Sequence, residues 1–234
     1  MKKVSLLSLL AVLAISSAAN ANVEDPLYAP AEGRLYSKTE VNKVDSAYNF
    51  SEEIGYGITN RFFMAAKIDY QNDTDSDADG LDSWKIGGKY RLSSGKAITN
   101  LYVDYTKGFG EDNLMPDDAY ILDAGFQIGT RTTKYQLAAN VGLNRVDNDV
   151  ADSNNVAFGV KGAYNFDDRV SGSLAFDYIL NDDFNAETDE DDSLSMTAQI
   201  NYQKGGLWSL YYKTELSADV EDENMFGFKY GVQF

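Results

Sequence analysis

The sequence of 234 residues contains no cysteine and no histidine. The absence of cysteine excludes disulfides and thiolate chemistry. The absence of histidine removes the most common general base, the Ser–His catalytic arrangements and the most common metal ligand. Together these two absences argue against an enzyme.

Positive charge is also scarce, with 20 Lys and Arg residues against 37 Asp and Glu residues and a formal net charge of −17. Such a surface repels phosphate backbones, so the composition predicts no nucleic-acid partner. An acidic chain can be disordered, but 16 tyrosines and 12 phenylalanines provide too much apolar surface for that interpretation.

Long apolar runs are absent except near the start of the chain. Residues 1–21 combine Lys2 and Lys3, an apolar core over residues 6–15, and a small-x-small site ending at Ala21. This layout is typical of a secretory signal peptide cleaved after Ala21. The alternative is an N-terminal anchor helix, but the apolar run is shorter than the roughly 20 residues that a membrane helix needs.

The last ten residues alternate strictly between apolar and other side chains. This period of two predicts a strand with one apolar face, formed by Phe226, Phe228, Tyr230, Val232 and the terminal Phe234. An apolar alternation that ends on an aromatic residue resembles the terminal assembly signal of Gram-negative outer-membrane β-barrel proteins. The resemblance implies an outer-membrane location and recognition of these five residues by the barrel-assembly machinery.

Similar alternating segments of about ten residues, the length of a tilted transmembrane strand, recur along the chain. They predict an all-β fold, a single transmembrane antiparallel up-and-down β-barrel over residues 33–234. Twelve strands fit best, although a weak first segment leaves ten or fourteen as alternatives. The predicted strands are approximately 34–42, 46–58, 62–70, 84–91, 97–106, 120–129, 135–144, 156–164, 171–180, 194–202, 208–213 and 225–234.

A soluble β-sandwich would also alternate, but the connections favour the barrel. Short turns near Asn60, Ser94, Thr132, Asp168 and Gly205 alternate with long connections, as in barrels with short periplasmic turns and longer extracellular loops. The long connections hold 24 of the 37 acidic residues. They span residues 72–83, 107–119, 145–155, 181–193 and 215–224.

Two local features agree with this topology. The hairpin at residues 56–61 reads Tyr-Gly-Ile-Thr-Asn-Arg and resembles a Y-G-[IL]-T-[DN]-R turn common in porin-type barrels. Residues 22–32 are polar and contain Pro26 and Pro30, which predicts a short periplasmic N-terminal tail.

If the apolar faces meet lipid, the opposite faces line the interior. Twelve strands enclose a lumen narrower than that of the water-filled sixteen-stranded porins. The predicted pore-lining residues are Lys67, Asp69, Lys85, Lys89, Asp104, Asp123, Lys161, Asp177, Lys213 and Lys229. They indicate either a hydrated charged path for solutes or a static ion-pair network that braces a nearly closed barrel.

One acidic segment has partial calcium-loop spacing. Asp75, Asp77 and Asp79 followed by Gly80 match the first half of a D-x-D-x-D-G loop. The twelfth position is Ile86 instead of the bidentate glutamate, so a solvated acidic loop is the favoured interpretation and a weak Ca²⁺ site the alternative. No other cofactor is predicted.

Taken together, the sequence predicts a porin-like passive channel for small hydrophilic solutes in the bacterial outer membrane. Its expected partners are lipid, lipopolysaccharide and the assembly machinery. The alternative is a non-conducting surface or structural barrel whose acidic loops bind divalent cations, lipopolysaccharide or a partner.

Overall fold

The computed structural model describes residues 23–74, 79–110, 115–147, 152–180, 192–217 and 224–234. Its strands form one closed antiparallel barrel in which each strand pairs with its sequence neighbours and β1 pairs with β12. The predicted all-β, up-and-down barrel of twelve strands is therefore confirmed. The strands are β1 Leu35–Val44, β2 Ala47–Gly57, β3 Phe62–Asp73, β4 Asp79–Ser94, β5 Ile98–Gly108, β6 Tyr120–Arg131, β7 Tyr135–Asp147, β8 Asp152–Asn165, β9 Val170–Leu180, β10 Ser193–Gln203, β11 Leu207–Glu215 and β12 Asn224–Gln233.

Several strands extend beyond their predicted bounds. β4 begins at Asp79 rather than Trp84, and β7 and β8 pair as far as Asp147 with Asp152. Most of the predicted connection at 145–155 is therefore strand. Hydrophobic alternation marks only the part of a strand that crosses lipid. These extensions are mainly polar, with Leu81 and Val146 as isolated apolar residues, although their backbones remain paired.

The connections define two ends of the barrel. The turn end carries the short turns at 58–61, 95–97, 132–134, 166–169 and 204–206. The loop end carries the connections after β3, β5, β7, β9 and β11, together with a tight β1–β2 turn in which Asp45 has a φ of 48°. The segment that precedes β1 enters at the turn end.

The exterior of the barrel is apolar around its whole circumference. Every strand contributes at least one exposed large hydrophobic side chain, for example Val41, Ile54, Met64, Ile86, Leu101, Leu122, Leu137, Val160, Phe176, Ile200, Leu210 and Phe228. An apolar band of this kind is energetically favourable against lipid. Among the described residues, no helix is long and apolar enough to cross a membrane.

Aromatic clusters lie on the exterior near both ends of the barrel. At the turn end, the Trp208 ring lies 4.4 Å from the Tyr230 ring and 5.7 Å from the Phe228 ring, measured between centroids. At the loop end, Tyr105 contacts Trp84 at 5.6 Å and Tyr120 at 5.9 Å. Amphipathic rings at these heights are typical of the interfacial girdles of transmembrane barrels.

One carboxylate interrupts the apolar exterior. Glu52 occupies an outward position between Phe50 and Ile54, at the middle of β2. It accepts hydrogen bonds from the hydroxyls of Ser37, at 2.6 Å, and Thr39, at 2.5 Å, on the adjacent strand β1. These two donors satisfy a charged group that would otherwise face lipid alone.

The interior differs from a conventional hydrophobic core. Among the residues that the structure describes, its buried hydrophobic cluster comprises Leu27, Ile98 and Ala138, and it lies near the turn end. The rest of the lumen is lined mainly by charged, amide and hydroxyl side chains and by glycines. The functional groups of the barrel are therefore on its inner face.

Candidate functional site: the barrel lumen

Strands β3 to β6 supply one wall of a cavity of about 370 Å³ inside the barrel. Strand register positions its charges, because Lys67 lies opposite Lys85, and Asp104 lies opposite both Gly87 and Asp123. Their side chains point inward with the period of two that the sequence predicts. The structure therefore brings together around one cavity five of the predicted pore-lining residues, namely Lys67, Lys85, Lys89, Asp104 and Asp123.

The three lysines of this cavity differ in their partners. Lys67 forms a close ion pair with Asp69 at 2.6 Å. Neither Lys85 nor Lys89 has a carboxylate of the described residues within ion-pair distance. The Lys89 ammonium instead lies 5.4 Å from the centre of the Phe63 ring. The Asp104 carboxylate lies over Gly87, which stands between Lys85 and Lys89 in β4.

The two aspartates of the cavity lie on neighbouring strands. Asp104 and Asp123 face each other across β5 and β6, an arrangement that is unfavourable for two carboxylates without a cation between them. The Oδ1 atom of Asp123 is fully buried and accepts no hydrogen bond from the described residues. This cavity thus presents unpaired groups of both signs.

Glycine makes room for these side chains. A Cβ atom at Gly87 would collide with the Asp104 carboxylate, and one at Gly142 would collide with the Tyr102 hydroxyl. Only glycine therefore allows Asp104 and Tyr102 their positions over the neighbouring strands. Sequence alternation places these glycines on the inner face but does not reveal the side chains that they admit.

A second cavity of about 300 Å³ lies beside the first, and Gln127 and Asn140 line both cavities. It collects three more of the predicted pore-lining residues, Lys161, Asp177 and Lys229. Lys213 lines neither cavity, and Asp69 is engaged with Lys67. Pro26, from the segment before β1, also lines the second cavity.

This participation of Pro26 reflects the position of the whole N-terminal segment. The sequence predicts a periplasmic tail for residues 22–32, and the structure shows residues 23–28 inside the turn end of the lumen. Leu27 has no exposed surface and packs with Ile98 and Ala138. Burying a leucine side chain contributes about 1.5–3 kcal/mol. We refer to residues 23–30 as the lumenal segment.

Cationic side chains from three strands, β4, β6 and β8, hold the lumenal segment. Arg91 donates a 2.7 Å hydrogen bond to the Leu27 carbonyl oxygen, and Lys161 donates one of 3.2 Å to the Glu24 carbonyl oxygen. Arg131 forms an ion pair with Asp25, whose other oxygen accepts a 2.8 Å bond from the Leu27 amide. These bonds satisfy backbone and carboxylate groups that burial would otherwise leave unpaired.

The Glu24 carboxylate is enclosed, with its side chain only 6% exposed. Its Oε2 atom lies 3.7 Å from the Lys229 ammonium and accepts a 3.2 Å hydrogen bond from Gln199. Burial alone would raise the pKa of Glu24. The ammonium groups of Lys229, Lys38 and Lys161 outweigh burial and lower the pKa to about 2.

The pKa values of Asp25 and Tyr28, in the same segment, shift upward rather than downward. Burial raises the pKa of Asp25 despite the attraction of Arg131, and burial raises the pKa of Tyr28 to about 12. The Tyr28 ring packs edge-on against Tyr36 of β1 at 5.5 Å between centroids. Glu24 thus remains charged, and Tyr28 neutral, at physiological pH.

The join between β1 and β12 carries a further charged network. Lys38 pairs with Glu53 at 3.6 Å, and Lys229 lies 3.7 Å from Glu40. Glu53 also accepts a 2.6 Å hydrogen bond from the Tyr36 hydroxyl. The lumenal positions of Lys38 and Glu40 are not predictable from the sequence, because β1 has the weakest hydrophobic alternation of the twelve strands.

The predicted signal peptide and most of the acidic calcium-loop motif fall outside the residues that the structure describes. Residues 1–21, the predicted signal peptide, and Asp75 and Asp77 of the acidic motif lie outside the described residues. Asp79 is the first residue of β4. Among the described residues, no group of three acidic side chains is arranged to hold a metal ion.

The assembly residues lie on one face of β12. Phe226, Phe228, Tyr230 and Val232 alternate outward, and Phe228 and Tyr230 pack against Trp208 of β11. The amide of the terminal Phe234 donates a 2.7 Å hydrogen bond to the Leu35 carbonyl oxygen of β1. Recognition of these residues by the assembly machinery stays a prediction.

A closed barrel with an apolar belt, aromatic girdles and a charged interior defines a transmembrane β-barrel of the bacterial outer membrane. Solved structures share this fold. An outer membrane channel from Pseudomonas putida F1 superposes with a TM-score of 0.67 at 12% identity, covering 92% of this chain and 100% of that one. The NanC porin superposes with a TM-score of 0.63 at 10% identity, and the match covers 86% of this chain and 98% of that one.

A KdgM porin in complex with disordered oligogalacturonate gives a TM-score of 0.58 at 9% identity, covering 85% of this chain and 98% of that one. No protein-family model matches the sequence, and no curated protein matches it significantly. At these identities the likeness concerns the fold, which is that of outer-membrane porins and channels.

Proposed function

We propose that the barrel is a passive channel for small hydrophilic solutes. The observation that carries this proposal is the inversion of polarity, with an apolar exterior around two adjoining polar cavities of about 370 and 300 Å³. A barrel that only anchored surface loops could fill its interior with tightly packed side chains. Cavities lined by unpaired charges are instead typical of a path for hydrated solutes.

The lumenal segment narrows this path at the turn end. It occupies the lumen beside the second cavity and leaves the first cavity as the wider compartment. Small solutes therefore pass Lys85, Lys89, Asp104 and Asp123 before they reach the region around Glu24. Transport of this kind requires no catalytic group, and no residue is assigned a catalytic role.

Conductance of the purified, refolded protein in a planar lipid bilayer tests the proposal. We expect discrete, ohmic single-channel steps, and we expect Lys85→Gln and Asp104→Asn to change the ion selectivity in opposite directions. The reversal potential under a salt gradient measures that selectivity. Lys134→Gln and Asp168→Asn, at exposed positions of the turn end, are the charge-matched controls. A correctly folded barrel without conductance would contradict the proposal.

The alternative function, binding at the acidic loops, depends mainly on residues outside the described ranges. The described residues favour the channel, because two adjoining polar cavities lie inside the apolar exterior. Association with lipopolysaccharide and with the assembly machinery follows from the proposed location in the outer membrane. Both associations are part of the proposal.

A further inference from the structure

Glu24 of the lumenal segment is held by side chains that also line the second cavity. Its carboxylate accepts a 3.2 Å hydrogen bond from Gln199 and lies 3.7 Å from the Lys229 ammonium. Lys161 donates a 3.2 Å hydrogen bond to the backbone carbonyl oxygen of the same residue. Gln199, Lys161 and Lys229 are all part of the cavity lining. A solute in the second cavity therefore meets the same donors that hold Glu24.

The barrel wall beside Glu24 has carboxylates of its own, and these have other partners. Glu53 lies 3.6 Å from the Lys38 ammonium, and Glu40 lies 3.7 Å from the Lys229 ammonium. Each of the two also accepts a hydrogen bond from a tyrosine hydroxyl of the barrel wall. None of these contacts involves the lumenal segment. The wall carboxylates are therefore neutralised independently of Glu24.

Lys161 differs from the other lysines near Glu24. No carboxylate of the described ranges lies within ion-pair distance of its ammonium. Asp177 is the acidic residue that lines the second cavity, and the ammonium of Lys213 acts on it more strongly than that of Lys161. Without Glu24, the groups around this position would therefore carry an excess of positive charge. A carboxylate is the group that restores the balance.

We infer that the second cavity and the adjoining Glu24 position form a carboxylate-binding site, which the lumenal segment occupies with its own carboxylate. Small solutes that carry a carboxylate compete with Glu24 for Lys161, Lys229 and Gln199. Because such solutes bind only where Glu24 has left, they favour withdrawal of the segment from the lumen. The inference rests on the proposed channel function and adds the class of solute that opens the channel.

Propionate is the simplest probe, because it has the atoms of a glutamate side chain. Its carboxylate would receive charge-assisted hydrogen bonds from the two ammonium groups. Propionamide has nearly the same shape without the charge, and it is therefore the matched control. A cavity of about 300 Å³ leaves room for either molecule together with water.

Binding to the barrel with and without the lumenal segment tests the site directly. Isothermal titration calorimetry measures both probes against the wild type and against a variant that lacks residues 23–30, in detergent at constant ionic strength. In the wild type, the tethered Glu24 competes at a high effective concentration. We expect the deletion variant to bind propionate at least about tenfold more tightly than the wild type does, and at least about tenfold more tightly than it binds propionamide.

Substitutions in the deletion variant locate the carboxylate. Lys161→Gln and Lys229→Gln should each weaken propionate at least about tenfold, because each removes one charged donor. Lys134→Gln, at an exposed position of the turn end, should leave the affinity unchanged. Heat-dependent migration on gels verifies that every variant is a folded barrel.

A single cysteine tests whether carboxylates withdraw the segment from the full-length barrel. The chain has no cysteine of its own, and Leu27 has no exposed surface in the docked segment. The thiol of a Leu27→Cys variant should therefore react with a polyethylene-glycol maleimide mainly when the segment undocks. We expect propionate to raise the labelling rate severalfold, and propionamide to leave it unchanged. Asp168→Cys, at an exposed turn, should be labelled at the same rate in both solutions.

These measurements need no current, so they separate the inference from the channel function. Equal affinity of propionate for the wild type and the deletion variant, or a labelling rate at Leu27→Cys that propionate does not change, would overturn the competition with Glu24. Equal affinity for propionate and propionamide would overturn the carboxylate site. Each of these results leaves the channel intact. Selective binding and labelling in a barrel that conducts no ions would instead overturn the channel and leave the site intact.

Discussion

Arg91 of β4 donates a 2.7 Å hydrogen bond to the backbone carbonyl oxygen of Leu27, a residue 64 positions earlier in the chain. The same guanidinium donates to Asn100 at 3.2 Å, and Asn100 in turn donates to Gln127 at 2.9 Å. The lumenal segment is thus connected to a network that crosses β4, β5 and β6. This network places an irregular piece of chain reproducibly inside the barrel.

Removal of the lumenal segment should widen the channel. Deletion of residues 23–30 eliminates the Leu27 contacts and the groups around Glu24, while residues 31–34 keep their backbone bonds to Gly57. We expect a severalfold larger single-channel conductance in a barrel of unchanged strand content. Circular dichroism checks the fold, and Leu27→Met, which preserves the buried volume, is the matched control. Unchanged conductance would show that the segment does not limit ion flow.

Replacement of Glu24 should destabilise the protein in a pH-dependent manner. Because its folded pKa of about 2 lies below the ordinary glutamate value of 4.5, Glu24 contributes stability that is complete above pH 4.5 and is lost as the pH falls towards 2. The stabilisation removed by Glu24→Gln at neutral pH is therefore up to about 3 kcal/mol. The difference between wild type and variant should disappear on acidification.

Denaturant unfolding at a series of pH values measures this difference. The raised pKa of Asp25 acts in the opposite sense, since its contribution is lost as the pH rises. Asp25 is present in both proteins, and its contribution cancels in the comparison. A difference between wild type and Glu24→Gln that stayed constant down to pH 2 would refute the assignment of the effect to Glu24 ionisation.

Gly87 should be intolerant of a side chain. A methyl group there would collide with the Asp104 carboxylate, so Gly87→Ala should displace Asp104 into the larger cavity and lower the conductance. Gly88→Ala is the control on the next residue, because its methyl group would meet only the Phe62 ring, at 3.3 Å on the outer face. Equal conductance of the two variants would contradict the proposed crowding at Gly87.

The hydroxyl groups beside Glu52 should stabilise its carboxylate on the outer face. Ser37→Ala combined with Thr39→Val removes both donors and should lower the free energy of unfolding by about 1–3 kcal/mol. Adding Glu52→Leu removes the unpaired charge as well, and the triple variant should recover most of the loss. Unfolding in lipid vesicles measures both steps, and a triple variant less stable than the double variant would disprove the argument.

The aromatic ring of the terminal residue, Phe234, should be required for efficient insertion of the barrel into the outer membrane. Phe234 combines an apolar ring with a backbone bond to Leu35, so Phe234→Ser should reduce the amount of barrel inserted in the outer membrane several-fold. Phe234→Tyr preserves the ring and should assemble normally. Fractionation of cells that express each variant provides the measurement. Normal insertion of Phe234→Ser would remove Phe234 from the assembly signal.

The sequence predicted the barrel well because a strand that separates lipid from a polar lumen must alternate along its length. Lys85, Asp104 and Asp123 were assigned to the interior by that rule alone. The strand extension from Asp79 to Ser83 was missed because Leu81 is its single large apolar residue and one residue sets no alternation. The position of Leu27 was missed for another reason, since a lone leucine between prolines has no periodicity, and its burial depends on partners from distant strands.

The location of Glu24 has a consequence for the order of folding. Lys38 belongs to β1 and Lys229 to β12, which are the first and last strands of the chain and become neighbours only when the barrel closes. The positive environment that binds Glu24 is therefore absent from an open sheet. Docking of the lumenal segment must follow ring closure, and resistance of residues 23–30 to added protease would distinguish completed barrels from open intermediates during biogenesis.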